Sequence, residues 1–149
     1  MVCLGNICRS PMAEGIFRNK LEEAGLDVEV DSAGTANYHV GEQPDYRAIE
    51  NMASHGIDIR GLRGRQFRQE DYDHFDQIYT MDSSNHQNVL RLARNDEDRA
   101  KVKMFLNELS PGSDASVPDP WYGRADGFED VFQMLSKTSD KVIDRLNNG

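Results

Sequence analysis

Cys3-Leu4-Gly5-Asn6-Ile7-Cys8-Arg9-Ser10-Pro11 begins two residues into the chain, and the rest of the sequence is best read outward from it. A cysteine precedes an arginine across a short loop with Gly5 and Asn6 at its turn, and the stretch ends in Ser-Pro, a helix-start signal. Gly5, and Asn6 to a lesser degree, tolerate positive φ, so successive N–H groups can turn inward as an anion-binding nest. Ser10 as N-cap and Pro11 as first helical residue would start a helix at the loop and aim its positive end at the same point. Such a field favours thiolate over thiol at Cys3. Arg9 adds a planar fork able to grip two oxygens of one anion. These parts suit one task, holding a tetrahedral dianion against a nucleophilic sulfur. The plainer reading is a turn with two ordinary buried cysteines, but it leaves Gly5, Asn6, Ser10 and Pro11 without their separate roles.

The chain has 149 residues, the length of one domain (residues 1–149) with a core that needs no staples. Acidic residues outnumber basic ones 26 to 17, a net charge of −9. That balance argues against nucleic acid or an anionic membrane as partner, since phosphate-rich surfaces bind basic proteins. It leaves room for a single phosphate site, where a nest and one arginine act locally. No apolar run approaches the ~20 residues that span a bilayer. No signal-peptide core is present either, so a cytoplasmic protein is expected. Both cysteines lie in one loop, the usage of a reactive thiol rather than a secreted disulfide framework. Only Met1 and Val2 precede Cys3, whereas a loop delivering a nucleophile leaves the end of a buried strand. The sequence is therefore expected to lack a few residues of that strand.

Downstream, Ala13, Ile16, Phe17, Leu21 and Ala24 recur at helical spacing, with Gly25 as a C-terminal stop. Leu26, Val28 and Val30 alternate with acids and predict an edge strand over residues 26–31. Pro44 opens a short helix through Ala48, Ile49 and Met52, closed by Gly56. Residues 60–69 are basic and carry no clear pattern. Residues 77–81 predict a strand, and Asp82-Ser83-Ser84 can cap a helix carrying Val89, Leu90 and Leu92. Val102, Met104 and Leu106 alternate as a further strand. A polar loop follows over 107–127, and Phe128, Val131, Phe132, Leu135, Val142, Ile143 and Leu146 share one face of a final helix. Strands alternating with helices imply one α/β domain with a parallel sheet, whose ligands bind beyond the carboxyl ends of the strands.

Displacing an alkoxide or phenoxide from phosphorus requires a proton for the departing oxygen. Asp119 is the candidate donor, in Val117-Pro118-Asp119-Pro120-Trp121-Tyr122-Gly123. Its flanking prolines restrict the backbone and preorganise the carboxyl. Trp121 and Tyr122 can wall a pocket for an aromatic leaving group. Pro-Asp-Pro is also an ordinary turn; the opening loop is what makes an acid partner necessary. The four histidines show no metal-ligand spacing, and only His39, beside Tyr38 in a rim loop, is placed to touch a substrate.

The opening loop with the later Asp-Pro-Trp-Tyr-Gly resembles the low-molecular-weight protein tyrosine phosphatases. Asp31-Ser32-Ala33-Gly34, Pro44-Asp45-Tyr46-Arg47, His55-Gly56-Ile57, Met81-Asp82-Ser83-Ser84-Asn85 and Asp130-Val131-Phe132 follow in that family's order. The resemblance implies a four-stranded parallel sheet with helices on both faces and the phosphate-binding loop at the C-terminal end of the first strand. It implies attack by Cys3 on phosphorus, protonation of the phenol by Asp119, and hydrolysis of the phosphocysteine by water that Asp119 activates. Arg9 and the loop N–H groups would hold the oxygens, with no metal or cofactor.

By position, Asn6 should pin the loop with Ser32 as partner, Ser10 should donate to the Cys3 sulfur, and Asp82 should lie behind the loop near Arg9. Ser32 and Asp82 could equally be ordinary caps. Leu4, Ile7, Tyr38, Trp121 and Tyr122 are the expected pocket walls. The resemblance also implies that Cys8 can form a disulfide with Cys3 and guard it from irreversible oxidation, against the plainer reading of Cys8 as a small packing residue. Trp121 stands where many members have the first of two tyrosines, so regulation by phosphorylation there does not carry over.

A phosphotyrosine-containing protein or small aryl phosphate is the expected partner, and the chain is expected to be a monomer or weak dimer. Arsenate reductases share the loop but relay oxidation to later cysteines, which this chain lacks. Protein-arginine phosphatases of the same fold carry threonine where Ile7 stands, and an apolar Ile7 suits a flat ring better than a guanidinium. A non-catalytic phosphotyrosine-binding module would need neither Cys3 nor Asp119.

Overall fold

Val2 and Cys3 form β1, with a parallel neighbour on each side. The sheet consists of β1 (Val2–Cys3), β2 (Ala33–Gly34), β3 (Ile78–Thr80) and β4 (Val102–Met104), in the order β2-β1-β3-β4 and parallel throughout. The computed structural model describes residues 1–123 and 125–149; Arg124, inside the loop predicted over 107–127, lies outside the described residues. Chain order reverses about β1, so the crevice at its carboxyl end is the switch point of the sheet.

Successive residues of the strands serve opposite faces. Val2, Ala33, Ile78 and Val102 join Phe67, Tyr72 and Val89 in one apolar cluster. Cys3, Tyr79 and Met81 point into the other, with Met12, Ile16, Phe105, Phe128 and Leu135. The larger cluster is covered by α1 (Arg9–Ala24), α2 (Tyr46–Ser54) and α6 (Ala125–Asn148). The smaller is covered from α3 (Asp71–His74) and α4 (Ser83–Leu90), and α5 (Asp96–Lys101) leads into β4. Both faces of the sheet are therefore dry, as short parallel strands require.

Several elements begin or end elsewhere than the pattern predicts. The alternation at residues 26–31 makes no strand. Leu26 and Val30 do pack on the core and Val28 is exposed, but no strand runs alongside. The carbonyl of Val30 accepts from Arg18 instead, and main-chain bonds to the first strand's end begin only at Asp31, whose O accepts from Met1 N at 3.1 Å, followed by Ala33 N to Met1 O at 3.0 Å. A hollow of about 420 Å³ lies beside this segment, at the amino ends of the strands. Leu106 falls in a 3₁₀ turn (Phe105–Glu108) rather than in β4, and Leu92 lies beyond α4. The short α3 and α5 carry too few apolar residues for any periodicity to announce them. Asp82 caps α4 as expected, accepting from Asn85 N at 2.7 Å, and Gly25 ends α1 at φ 68°. No helix among the described residues is long and apolar enough to cross a membrane.

Candidate active site

The segment between β1 and α1 is a loop of five residues, 4–8, placed at the carboxyl end of the central strand. Its carbonyls are engaged from outside. Thr35 N donates to Cys3 O, Ala36 N to Leu4 O and Asp45 N to Ile7 O, at 2.7 to 3.0 Å. A Cβ on Gly34 would stand 2.8 Å from Leu4 O, so glycine is what lets β2 run this close to the loop. The N–H groups are left for the inside. Asn6 N points at Cys3 Sγ at 3.3 Å, and those of Gly5, Ile7 and Cys8 donate to no protein acceptor among the described residues.

Two local expectations need correction. Positive φ falls on Asn6 alone (57°), not on Gly5. At Gly5 the constraint is one of space: a Cβ there would come within 3.1 Å of the His39 ring and push it back by a few tenths of an ångström. Ser10 is not the N-cap: α1 starts at Arg9 with Cys8 as cap residue, and no side chain caps it. The hydroxyl of Ser10 is engaged elsewhere, 3.0 Å from Cys3 Sγ.

A chain of bonds behind the loop holds that hydroxyl in place. Arg65 N donates to Asn6 Oδ1 at 3.0 Å, which fixes the amide so that Nδ2 faces the other way. Nδ2 donates to Ser10 Oγ (2.7 Å) and to Ser32 Oγ (2.9 Å). Ser32 in turn donates to Glu14 Oε1 at 2.6 Å, and Arg18 holds the other oxygen of Glu14. Asn6 thus occupies one lone pair of the Ser10 oxygen, and the hydroxyl lies 3.0 Å from Cys3 Sγ and 3.4 Å from Ala33 O. Glu14 and Arg65 were not among the residues singled out from sequence. The signal for Glu14 was present, an acid four residues ahead of Arg18 on a helix that buries its neighbours Ala13 and Phe17.

Arg9 is buried and directed by its partners. Its Nη1 donates to Asp82 Oδ2 at 2.7 Å and to Val117 O at 3.0 Å, while Nη2 stands 3.6 Å from Asp119 Oδ2. Asp82 thus serves both the cap of α4 and the guanidinium. The rest of the fork faces the loop side, where two oxygens of an anion can be met at once. Asp119 is extended at φ −81°, ψ 111°, the conformation imposed by the proline that follows. It caps the 3₁₀ turn Pro120–Tyr122 through Trp121 N at 3.0 Å.

Cys3, Leu4, Gly5, Ile7, Cys8 and Arg9 line one side of a cavity of about 220 Å³, and Tyr38, His39, Asp119, Trp121 and Tyr122 line the other. Ser32 and Asp82 stand behind these walls. Both cysteines are free and buried. Burial pushes the Cys8 thiol up, and the negative neighbours Asp45, Cys3 and Asp119 push it further, so Cys8 stays protonated at neutral pH. Among the described residues no cluster of three or more His, Cys, Asp or Glu is placed to hold a metal ion. A buried sulfur, a buried guanidinium and a half-buried carboxyl around one small cavity can perform nucleophilic displacement on a bound oxyanion with proton transfer.

A family model described as low molecular weight phosphotyrosine protein phosphatase matches residues 1–149. The low molecular weight phosphotyrosine protein phosphatase of Schizosaccharomyces pombe is 47% identical over 145 residues, covering 95% of this chain and 92% of that one. A crystal structure of a protein tyrosine phosphatase from Entamoeba histolytica superposes with a TM-score of 0.92 at 33% identity, covering 99% and 95% of the two chains. A Drosophila arginine phosphatase superposes at 0.90 with 28% identity, covering 97% and 94%.

Proposed function

The chain belongs to the low molecular weight phosphotyrosine protein phosphatase family, and from that premise we propose that it hydrolyses phosphotyrosine in proteins, and small aryl phosphates, through a phosphocysteine intermediate. The observation that carries the reading is the convergence of Cys3, Arg9 and Asp119 on one cavity. In the first step the Cys3 sulfur forms a bond to phosphorus as the bond to the phenolic oxygen breaks, and Asp119 gives its proton to that oxygen. The inward N–H groups and Arg9 hold the non-bridging oxygens as charge shifts. In the second step Asp119, now a carboxylate, takes a proton from water attacking phosphorus. The Cys3 sulfur leaves as thiolate, with the Ser10 hydroxyl at 3.0 Å to donate to it, and inorganic phosphate departs.

Ile7 supports the aromatic substrate. Its side chain is apolar and lines the cavity, and a flat ring loses nothing against it, whereas a guanidinium would leave its N–H groups unpaired there. The same reading gives Cys8 its role. Oxidation of Cys3 to the sulfenic acid by a peroxide, followed by attack of the Cys8 sulfur with release of water, would form a reducible Cys3–Cys8 disulfide.

Cys3→Ser should lower kcat/KM on an aryl phosphate by about a thousandfold or more, the scale on which a lost nucleophile acts, and wild-type enzyme quenched in acid should carry phosphate on Cys3. Full activity in the serine variant refutes the mechanism. A phosphotyrosine peptide should be turned over in preference to a matched phosphoarginine peptide, and the reverse order would transfer the assignment to arginine.

A further inference from the structure

Arg47 belongs to none of the steps above, yet it joins the two segments that perform them. Its Nε and Nη2 donate to the two carboxyl oxygens of Asp45 at 3.0 and 3.1 Å. Asp45 is itself bonded to the phosphate-binding loop, its N–H donating to Ile7 O at 2.7 Å. On the other side, Arg47 Nη2 donates to Trp121 O at 3.2 Å and Nη1 to Gly123 O at 3.5 Å. The guanidinium lies over the ring of Phe128, 4.8 Å from its centre and buried at the start of α6, and 5.5 Å from the centre of the Trp121 ring.

Besides the 3.6 Å ion pair of Asp119 with Arg9, the segment on the receiving end has little else to hold it. Among the described residues, the bonds from Arg47 are the only hydrogen bonds that tie residues 118–123 to the rest of the protein; the others, Trp121 N to Asp119 Oδ1 and Gly123 N to Pro120 O, are internal. Tyr122 is 85% exposed and Trp121 41%, so packing contributes little beyond buried Pro120. Asp119 must nonetheless reach a leaving oxygen to within hydrogen-bond distance, and a displacement of an ångström is costly in such a transfer.

We infer that Arg47 is a positioning residue for the general acid: through the Ile7–Asp45–Arg47–Trp121 route it sets where Asp119 stands relative to the Cys3 loop. This rests on the assignment of Asp119 as the acid. A lysine cannot replace the fork, because one ammonium cannot meet a bidentate carboxylate and two carbonyls while lying flat on two rings.

The test is a leaving-group series: kcat/KM for aryl phosphates with phenols from acidic to weakly acidic, measured for wild type, Arg47→Met, Arg47→Lys and Asp119→Asn. A weakly acidic phenol needs its proton and an acidic one does not. Arg47→Met should lose about tenfold on the poorest leaving group, a fraction of the ~100-fold that a misplaced or absent acid costs, and about twofold or less on the best. Arg47→Lys should fall between Arg47→Met and wild type. A merely structural or pocket-wall role would lower every substrate equally. An equal loss across the series in both Arg47 variants, with a steepened dependence in Asp119→Asn, overturns the role of Arg47 alone. No steepening in Asp119→Asn overturns the acid assignment beneath it.

Discussion

Residues 3–10 and residues 118–123 face each other across one small cavity, the first buried and cross-braced, the second exposed and lightly tied. The sulfur loop has its carbonyls bonded from two other segments and its turn residue, Asn6, bonded to Ser10, Ser32 and the main chain of Arg65. The segment carrying Asp119 relies on two prolines, an internal cap, the hydrogen bonds of Arg47 and the longer ion pair with Arg9. The difference matches what the proposed mechanism asks of each. An oxyanion cradle stabilises charge only if its dipoles need no rearrangement during the reaction. A proton donor works on one atom at the edge of the substrate and tolerates being carried on an adjustable rim. Rim segments are also where substrates are told apart, because their side chains stand in solvent until a ligand arrives.

This contrast can be broken first at Asn6. Asn6→Ala removes three hydrogen bonds and places a Cβ-bearing residue without a polar side chain at φ 57°. It should lower kcat/KM by about a hundredfold, as loss of an oxyanion-holding element does, and lower stability by about 2 kcal/mol from the stranded buried partners. Steady-state kinetics and thermal unfolding read the two effects, and unchanged activity would show that the loop keeps its shape without Asn6.

At the opposite edge, Tyr122→Ala should leave the melting temperature unchanged, since the ring is exposed. It should raise KM for a phosphotyrosine peptide by about threefold, an aromatic contact of modest worth. A large fall in melting temperature would mean that the rim carries structural load after all.

The smallest effect tests the tie between the two regions. Burial alone would raise the Asp45 carboxyl, but its hydrogen bonds from Arg47 outweigh burial and hold it below the ordinary range. A depressed carboxylate contributes stability that is complete above its unfolded pKa and is lost as pH falls through its folded pKa. The stability difference between wild type and Asp45→Asn should therefore shrink as pH drops from about 6 to about 3, across the usual carboxylate range. A difference that stays constant over that range contradicts the tie.

The residues of chemistry were legible because each is flagged by its neighbours in sequence. Cys3, Arg9, Ser10 and Asp119 sit among glycine, asparagine and prolines whose backbone preferences are local. Strands β3 and β4, helices α1 and α2 and the final helix were legible from their apolar pattern, which burial on both sides of a sheet enforces. Residues 26–31 show the limit of that signal: alternation reports which side chains reach a core, not whether a neighbouring backbone supplies ladder bonds. The position of Ser10 shows the same limit at closer range. A serine before proline can cap a helix, but here a sulfur and an amide compete for its hydroxyl.

By itself the sequence singled out the cysteine loop, the candidate acid Asp119, the α/β class and the placement of the loop at a strand's end. Those depend on short-range chemistry: the φ preference of Asn6, the rigidity of Pro-Asp-Pro, the period of apolar residues. Only the tertiary structure decided that Glu14 accepts from Ser32, that Ser32 and Ser10 share the Asn6 amide, and that Arg47 joins the two loops across the cavity. Hydrogen bonds between residues far apart in the chain have no local signature. They form because the parallel sheet brings the end of β1, the start of α2 and the segment before α6 to one place.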